Sequence, residues 1–442
     1  MQTQAYADSV TRQRDDLPGI YGGVDFTVVP ERLDEAAAID DERFAATRDA
    51  VGRVFEHPEL LETMRNATMT GDRIADAYAA LIPEYGFRTL VEMVETACRH
   101  GVENVEDAPP ELVELITAME NTPTWVDMTL VEQGARAERI PMATATPLAI
   151  RGAFLATFLN KYAALPMTMT GTLSDEAAAK RVFETASFFT ATTLPRALQR
   201  SGKGFEAAAK VRLMHSMVRY HILNSGKWDV ATYGIPIPQA DQMPAGLIGV
   251  FLMSARLLRK GQSEFTPEQR ASVELSRYRC FLLGLPENLL GDTPQEIVDL
   301  LIARHISLRE GYDDETCGAL VRGTMEAKLF DTSSITGRMH AWLENGFSKF
   351  VLIKSFLGGD TERAASIGIT FGRREQLAAG VAAGSVALKT AFYRVGLRLP
   401  VVSSRVDSRL NRRLAELLDM YGHADFVTDP DQYQLDTGLT AT

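Results

Sequence analysis

The stretch VRLMHSMVRYH, residues 211–221, holds the residues whose types and spacing are most suggestive of chemistry. Arg212, His215 and Arg219 stand three and four residues apart, so on an α-helix all three lie on one face. An imidazole there could ligate a metal while the guanidinium groups bind the carboxylates of a cofactor. A lone histidine on an amphipathic helix is more often a core or surface residue, so the pattern alone supports only a hypothesis.

A second predicted helix lies about thirty residues upstream, where Arg181 and Thr185 fall on one face and are followed by Phe188 and Phe189. An arginine, a hydroxyl and aromatic rings could wall a cavity above a flat apolar cofactor. The same helix could equally be a core helix with one exposed arginine and a threonine that bonds its own backbone. The residues themselves leave both interpretations open.

Several other kinds of chemistry find no support in the sequence. The seven histidines form no HxH or HExxH motif, so a dedicated zinc site is not predicted. Neither GxGxxG nor GxxxxGK[ST], the loops that cradle phosphates, is present, and the GxSxG nucleophile motif is absent. Nucleotide binding and nucleophilic hydrolysis are therefore unsupported.

Composition limits the possible partners and compartment. The net charge of −12 argues against a nucleic-acid partner and against adsorption to an acidic membrane face. Cys98, Cys280 and Cys317 are few and widely spaced, which predicts small core residues rather than disulfides or a metal site. The sequence has no evident secretory signal, and the longest apolar run, 243–253, is too short for a transmembrane segment. We expect a cytoplasmic protein.

Hydrophobic periodicity predicts the fold class. From about Asp34 onward, apolar residues recur at three- and four-residue spacing, and sustained β alternation is hard to find. The periodic stretches include those near 110–120, 205–224, 266–284, 293–308 and 360–397. No linker rich in Gly, Ser or Pro divides the chain. We predict an all-α protein with an irregular N-terminal lead-in at 1–40, one large helical domain at 41–421 and a polar C-terminal tail at 422–442.

The motifs, taken in order, resemble those of the oxygenase family that includes the bacterial rubber oxygenase and a fungal oxygenase of the mycophenolic acid pathway. The matching landmarks span 123–290, and RxxHxxxR is the most specific of them. They are PTWVDMTLVEQGA at 123–135, TGTLSDEAAAKRVFETASF at 170–188, VRLMHSMVRYHIL at 211–223, the WD and GIPIPQ pieces within 228–239, and YRCFLLGLPENLL at 278–290.

This resemblance implies a globin-like helical core with non-covalent haem b. His215 matches the family's proximal iron ligand, and Arg212 and Arg219 match the flanking arginines, which would neutralise the haem propionates. Arg181 and Thr185 match a distal arginine and threonine, which would donate hydrogen bonds to oxygen.

The sequence departs from the rubber oxygenase at two places. Glu184 stands where that enzyme has a distal lysine, and Leu165 falls near the position of its upstream glutamate. The resemblance therefore does not extend to polyisoprene cleavage by the same residues. Glu184 could instead serve as an acid or a base.

We predict a haem-dependent oxygenase that acts on a small hydrophobic substrate, with isoprenoids as the first candidates. Its expected partners are O₂ or peroxide and an electron donor. Three alternatives remain open: a haem-based gas or redox sensor, a peroxide-dependent haem enzyme, and a helical scaffold that has lost the cofactor.

Overall fold

A computed structural model describes residues 2–35, 47–170 and 175–422 of the chain. These residues form twenty-two α-helices, and their one β feature is an isolated antiparallel bridge between Leu33 and Leu308. The prediction of an all-α fold is confirmed.

The helices, in chain order, are α1 Gln2–Asp16, α2 Pro18–Tyr21, α3 Arg48–Glu56, α4 Pro58–Thr68, α5 Arg73–Ala79, α6 Ile82–Tyr85, α7 Phe87–His100, α8 Pro110–Glu120, α9 Met128–Thr144, α10 Thr146–Leu155, α11 Lys161–Met169, α12 Asp175–Ala191, α13 Lys203–Asn224, α14 Val230–Tyr233, α15 Gln239–Arg259, α16 Pro267–Leu282, α17 Pro294–Ser307, α18 Ala319–Glu326, α19 Ile335–Phe356, α20 Thr361–Ser366, α21 Arg373–Arg398 and α22 Ser403–Tyr421.

The N-terminal segment differs from the prediction of an irregular lead-in at 1–40. Its described part contains α1 and α2, and Pro18 occupies the first turn of α2, where a missing N–H costs nothing. Tertiary contacts hold α1, because Tyr6 donates to Gln239 and the Gln13 amide donates to the Met69 carbonyl. Residue 1, residues 36–46 and residues 423–442, which include nearly all of the predicted tail, lie outside the described residues.

Local signals explain where many helices begin and end. Thr266 and Thr293 close capping boxes at the starts of α16 and α17, and each is followed by a proline. The periodic stretch 360–397 divides into α20 and α21 around Gly368, whose φ of +83° is readily available only to glycine.

The chain separates into two compact units by its internal contacts. Unit 1 contains residues 1–134 and 198–310, and unit 2 contains residues 135–197 and 311–422 within the described part of the chain. The prediction that one domain spans 41–421 stays a prediction.

In unit 1 the central helix is α13, which packs against α2, α5, α7 and α16. In unit 2, α12 packs against α10, α18 and α22 over an apolar core that includes Phe154, Phe158, Leu352 and Leu417. Cys98, Cys280 and Cys317 are buried free thiols, which confirms the prediction that they are core residues. Within the described residues, no helix is long and apolar enough to cross a membrane.

Candidate functional site

His215 lies on α13 in unit 1, and its imidazole is half-buried. Its Nδ1 lies 3.2 Å from Oε1 of Gln242, a residue on the second turn of α15. With Nδ1–H donating to this amide oxygen, the other ring nitrogen, Nε2, is the one suited to ligate a metal. A second residue that fixes the tautomer and orientation of the ring is typical of histidine ligands.

Arg212, one turn before His215, makes a two-point ion pair with Asp72. Its Nε donates to Oδ2 at 2.5 Å and its Nη2 donates to Oδ1 at 2.9 Å, and both side chains are 6% exposed. Asp72 is also the N-cap of α5, where its Oδ1 accepts a hydrogen bond from the Ala75 backbone at 3.3 Å. One carboxylate thus starts α5 and ties it to α13.

Arg219, one turn after His215, is completely buried and pairs with Asp76. Its Nε and Nη2 donate to the backbone carbonyls of Pro236 and Ile237 at 3.1 and 2.6 Å. Ile237 has a φ of +48°, an unusual conformation for a β-branched residue. The guanidinium therefore holds the GIPIPQ loop in a strained conformation as well as joining α13 to α5.

A buried tyrosine completes this network. The Tyr21 hydroxyl donates to Oδ2 of Asp76 at 2.5 Å, and burial together with the nearby carboxylate raises the pKa of Tyr21 well above its ordinary value. Burial alone would lower the pKa of Arg219, but the nearby carboxylates, chiefly that of Asp76, outweigh it and the pKa lies above its ordinary value. The arginine stays charged and the phenol stays a donor.

Two glycines leave the space that these ion pairs occupy. A Cβ at Gly71 would lie 3.1 Å from Nε of Arg219, and one at Gly284 would lie 2.9 Å from Nε of Arg212. Gly284 also has a φ of +90°, so any other residue there would be strained. Because these two glycines have no side chain, their backbone lies close to the guanidinium groups of Arg219 and Arg212 and limits their movement.

The residues expected on the distal side lie on α12, in unit 2. Nη1 of Arg181 is 3.5 Å from Oε2 of Glu184, one turn along the same helix, and these side chains are 13% and 10% exposed. The Thr185 hydroxyl donates to the Arg181 carbonyl at 3.0 Å. That backbone bond is the one the core-helix interpretation expects.

The aromatic residues that follow on α12 differ in burial. Phe188 is 5% exposed and belongs to the core, whereas Phe189 is half-buried, and the two rings meet edge to face. The structure thus brings Arg212, His215 and Arg219 together on α13, and brings Arg181, Glu184 and Thr185 together on α12.

Four residues of the α13 network are absent from the sequence-based candidates: Tyr21, Asp72, Asp76 and Gln242. The four-residue spacing of the two aspartates, on a helix started by the first, was the available signal, since it places two carboxylates on one face. Gln242 carried no signal in the sequence, because nothing local relates α15 to α13. Across the described residues, no cluster of three or more His, Cys, Asp or Glu side chains could hold a metal ion by itself.

Comparison with known proteins places the chain in a family. The model for the family described as ER-bound oxygenase mpaB/B'/Rubber oxygenase, catalytic domain, matches residues 141–419. Among solved structures, latex clearing protein in the closed state matches with a TM-score of 0.54 and 20% identity, covering 80% of this chain and 91% of that one. At that identity the likeness shows the fold alone. No curated protein matches the chain.

The matched range contains both candidate helices, α12 and α13, while Asp72 and Asp76 lie before it. Because the family model covers more than half of the chain, the resemblance predicted from the motifs is confirmed: this protein belongs to the mpaB/B'/rubber oxygenase family and is an oxygenase.

Proposed function

We propose that this oxygenase uses haem b, held non-covalently, to oxidise a small hydrophobic substrate, with isoprenoids as the first candidates. The observation that carries the proposal is the imidazole of His215 with Gln242 at its Nδ1. A histidine oriented by a neighbouring amide is suited to be the single protein ligand of a haem iron, and such a site requires no cluster of ligating side chains.

The residues of α13 fit this role unequally. Arg219 is enclosed, and its Nε, Nη1 and Nη2 all donate to partners within unit 1, so we assign it to positioning the helix. Arg212 bonds Asp72 through Nε and Nη2, and within the described residues Nη1 makes no hydrogen bond. Arg212 is therefore the better candidate to donate to a propionate.

The haem, when bound, would supply one-electron and O₂ chemistry. Arg181 and Thr185 would donate hydrogen bonds to the oxygen co-substrate as negative charge develops on it. To donate in this way the Thr185 hydroxyl would turn from the Arg181 carbonyl, which it bonds at 3.0 Å. Glu184 would hold or deliver a proton, and its contact with Arg181 would keep the carboxylate in place.

An absorption spectrum of the purified protein, reconstituted with haem, tests the cofactor. The wild-type protein should show a Soret band, and His215→Ala should lose or strongly shift it. His221→Ala is the matched control, because it removes another imidazole from the same helix and should leave the band unchanged. A colourless wild-type protein after reconstitution would disprove the haem proposal, and an unchanged band in His215→Ala would disprove the ligand assignment.

Turnover separates oxygenase activity from the alternatives. The loaded protein, given a reductant and a panel of isoprenoids under ¹⁸O₂, should yield labelled products by mass spectrometry. Products formed only with added peroxide would instead indicate a peroxide-dependent enzyme. Stable binding of O₂ or CO without turnover of any panel member would favour a sensor.

A further inference from the structure

The longest helix of unit 2, α21, carries an exposed apolar stripe. Successive residues on a helix are 100° apart, so the six side chains of the stripe fall within an arc of about 60° along one side. Each of them is between 49% and 74% exposed. They are Leu377, Val381, Leu388, Phe392, Val395 and Leu399.

This stripe is not the side by which α21 packs into unit 2. The helix contacts α19 and α22 through small residues and one aromatic ring: Ala378, Ala379, Ala382, Tyr393 and Gly396 are its buried positions. Beyond the end of the stripe, the turn into α22 adds Val401, which is 90% exposed. A contiguous exposed apolar surface of this kind marks an interaction site.

The surroundings of the stripe are strongly basic. Residues 373–421, which span α21 and α22, contain nine Lys and Arg against four Asp and Glu, a net charge of +5 in a chain whose net charge is −12. All nine cations are exposed, and within the described residues only Arg413 is in an ion pair, with Glu416 at 3.3 Å. The other eight are Arg373, Arg374, Lys389, Arg394, Arg398, Arg405, Arg409 and Arg412.

The cations and the apolar stripe form one surface. A groove of about 1150 Å³ between α21 and α22 is lined by Leu388, Lys389, Phe392, Arg405 and Arg409, among others, and the Arg409 guanidinium lies 5.5 Å from the centre of the Phe392 ring. A partner that binds this surface must therefore contact an apolar stripe and exposed positive charge at the same time, along a helix about 39 Å long.

We propose that this α21–α22 face binds the surface of an anionic lipid bilayer, with α21 lying along it. The narrow apolar stripe would lie among the acyl chains, and the flanking cations would contact the phosphate and carboxylate groups of the lipid headgroups. A second copy of the chain fits less well, because a symmetric contact would press two faces of charge +5 together. A nucleic acid would meet the cations but would leave the stripe in water.

The overall charge of −12 therefore does not decide membrane binding for this chain. The local field within a Debye length, about 8 Å at physiological salt, is what a headgroup senses. The proposal therefore differs from the expectation, drawn from net charge alone, that an acidic membrane face would repel the protein.

Sedimentation with sucrose-loaded vesicles tests the proposal, using the full chain. Vesicles of phosphatidylcholine alone are compared with vesicles that contain roughly one-third phosphatidylserine. The wild-type protein should bind the anionic vesicles at least about tenfold more strongly, and added salt should weaken this binding. Equal binding to both vesicles, or none to either, would overturn the proposal.

Two matched pairs of variants locate the surface. Arg398→Gln/Arg405→Gln/Arg412→Gln should lower binding about 100-fold. Arg256→Gln/Arg259→Gln/Lys260→Gln, which removes three exposed cations from the last turn and C-cap of α15, should change it less than about twofold. Leu388→Gln/Val395→Gln should also lower binding. Its control is Ile335→Gln/Met339→Gln, since Ile335 matches Leu388 at 74% exposed and Met339, at 56%, is close to Val395 at 57%.

Two outcomes would assign the face to another occupant. If heparin competes fully and Leu388→Gln/Val395→Gln leaves binding unchanged, the face is a general polyanion site and the bilayer proposal is wrong. If the protein binds no vesicle but is a dimer that this apolar variant separates into monomers, a second copy covers the stripe and the proposal is likewise wrong.

Discussion

The two candidate helices carry their arginines in opposite ways. On α13, Arg212 and Arg219 are bound by carboxylates of α5, about 140 residues away in the chain, and Arg219 is fully enclosed. On α12, Arg181 contacts Glu184 of its own helix, and the Thr185 hydroxyl bonds its own backbone. The first pattern ties a helix to a distant part of its unit, while the contacts described for the second stay within one helix.

The difference matters for how a chemical site is built. Coordination of the proposed iron requires an imidazole held in one orientation. Gln242 contacts the ring of His215, and the two buried ion pairs hold the helix that carries it. The contrast between α13 and α12 can be tested in order of expected effect.

Asp76→Ala should produce the largest effect, because it leaves Arg219 buried without its carboxylate. We expect the free energy of unfolding to fall by about 3–5 kcal/mol, measured by chemical denaturation. Asp76→Leu/Arg219→Met removes both charges and should be less destabilising than Asp76→Ala alone. A loss below about 1 kcal/mol for Asp76→Ala would show that α13 is not held by this pair.

Asp241 gives a second test of buried carboxylates in unit 1, now as a function of pH. It contacts Arg32 at 2.6 Å and Arg304 at 3.1 Å. Burial opposes its ionisation, but the two arginines outweigh burial and hold its pKa below the ordinary value. Its stabilising effect is therefore present above the unfolded-state pKa of about 3.9 and is lost as the pH falls through the lower folded-state pKa.

Asp241→Asn should cost about 1.5–3 kcal/mol at neutral pH and should make the acid side of the stability curve shallower. Chemical denaturation of both proteins from neutral pH to pH 3 measures this. Parallel curves for the two proteins would show that Asp241 does not contribute to the acid sensitivity.

Gln242→Leu tests the orientation of His215 under the proposed haem function. Loss of the acceptor at Nδ1 should weaken haem affinity about 10–100-fold, measured by transfer of haem to apomyoglobin. Gln242→Glu is the control, because it keeps an acceptor of the same length. Unchanged haem affinity in Gln242→Leu, with the Soret band retained, would show that the ring is oriented by other contacts.

Arg181→Gln should have the smallest effect on stability. Its ion pair with Glu184 is long, at 3.5 Å, and spans one turn of the helix, so loss of that pair should cost less than about 1 kcal/mol. Turnover by the loaded enzyme should fall much more than stability does, with Lys180→Gln as the control on the same helix. A loss of stability comparable to that of Asp76→Ala would show that Arg181 stabilises the fold as much as the Asp76–Arg219 pair does, so that α12 and α13 would not differ in this respect.

Much of the fold followed from periodicity. The predicted helical stretches at 110–120, 205–224, 266–284 and 293–308 agree with α8, α13, α16 and α17 within a few residues. Local signals mark three of these starts, since α16 and α17 begin with capping boxes and α8 begins with a proline. The lead-in was missed because α1 is a polar helix held by Tyr6 and Gln13, whose partners lie far along the chain.

By itself, the amino-acid sequence determined the all-α class, the shared face of Arg212, His215 and Arg219, and the order of motifs that led to the family. The first two depend on spacing along a helix, which 3.6 residues per turn makes readable, and the third depends on the order of residues in the chain. Only the tertiary structure decided that Asp72 and Asp76 bind the two arginines, that Gln242 meets His215, and that one side of α21 is left exposed. Those contacts depend on which distant segments pack together, and the spacing of residues along one helix does not determine that packing.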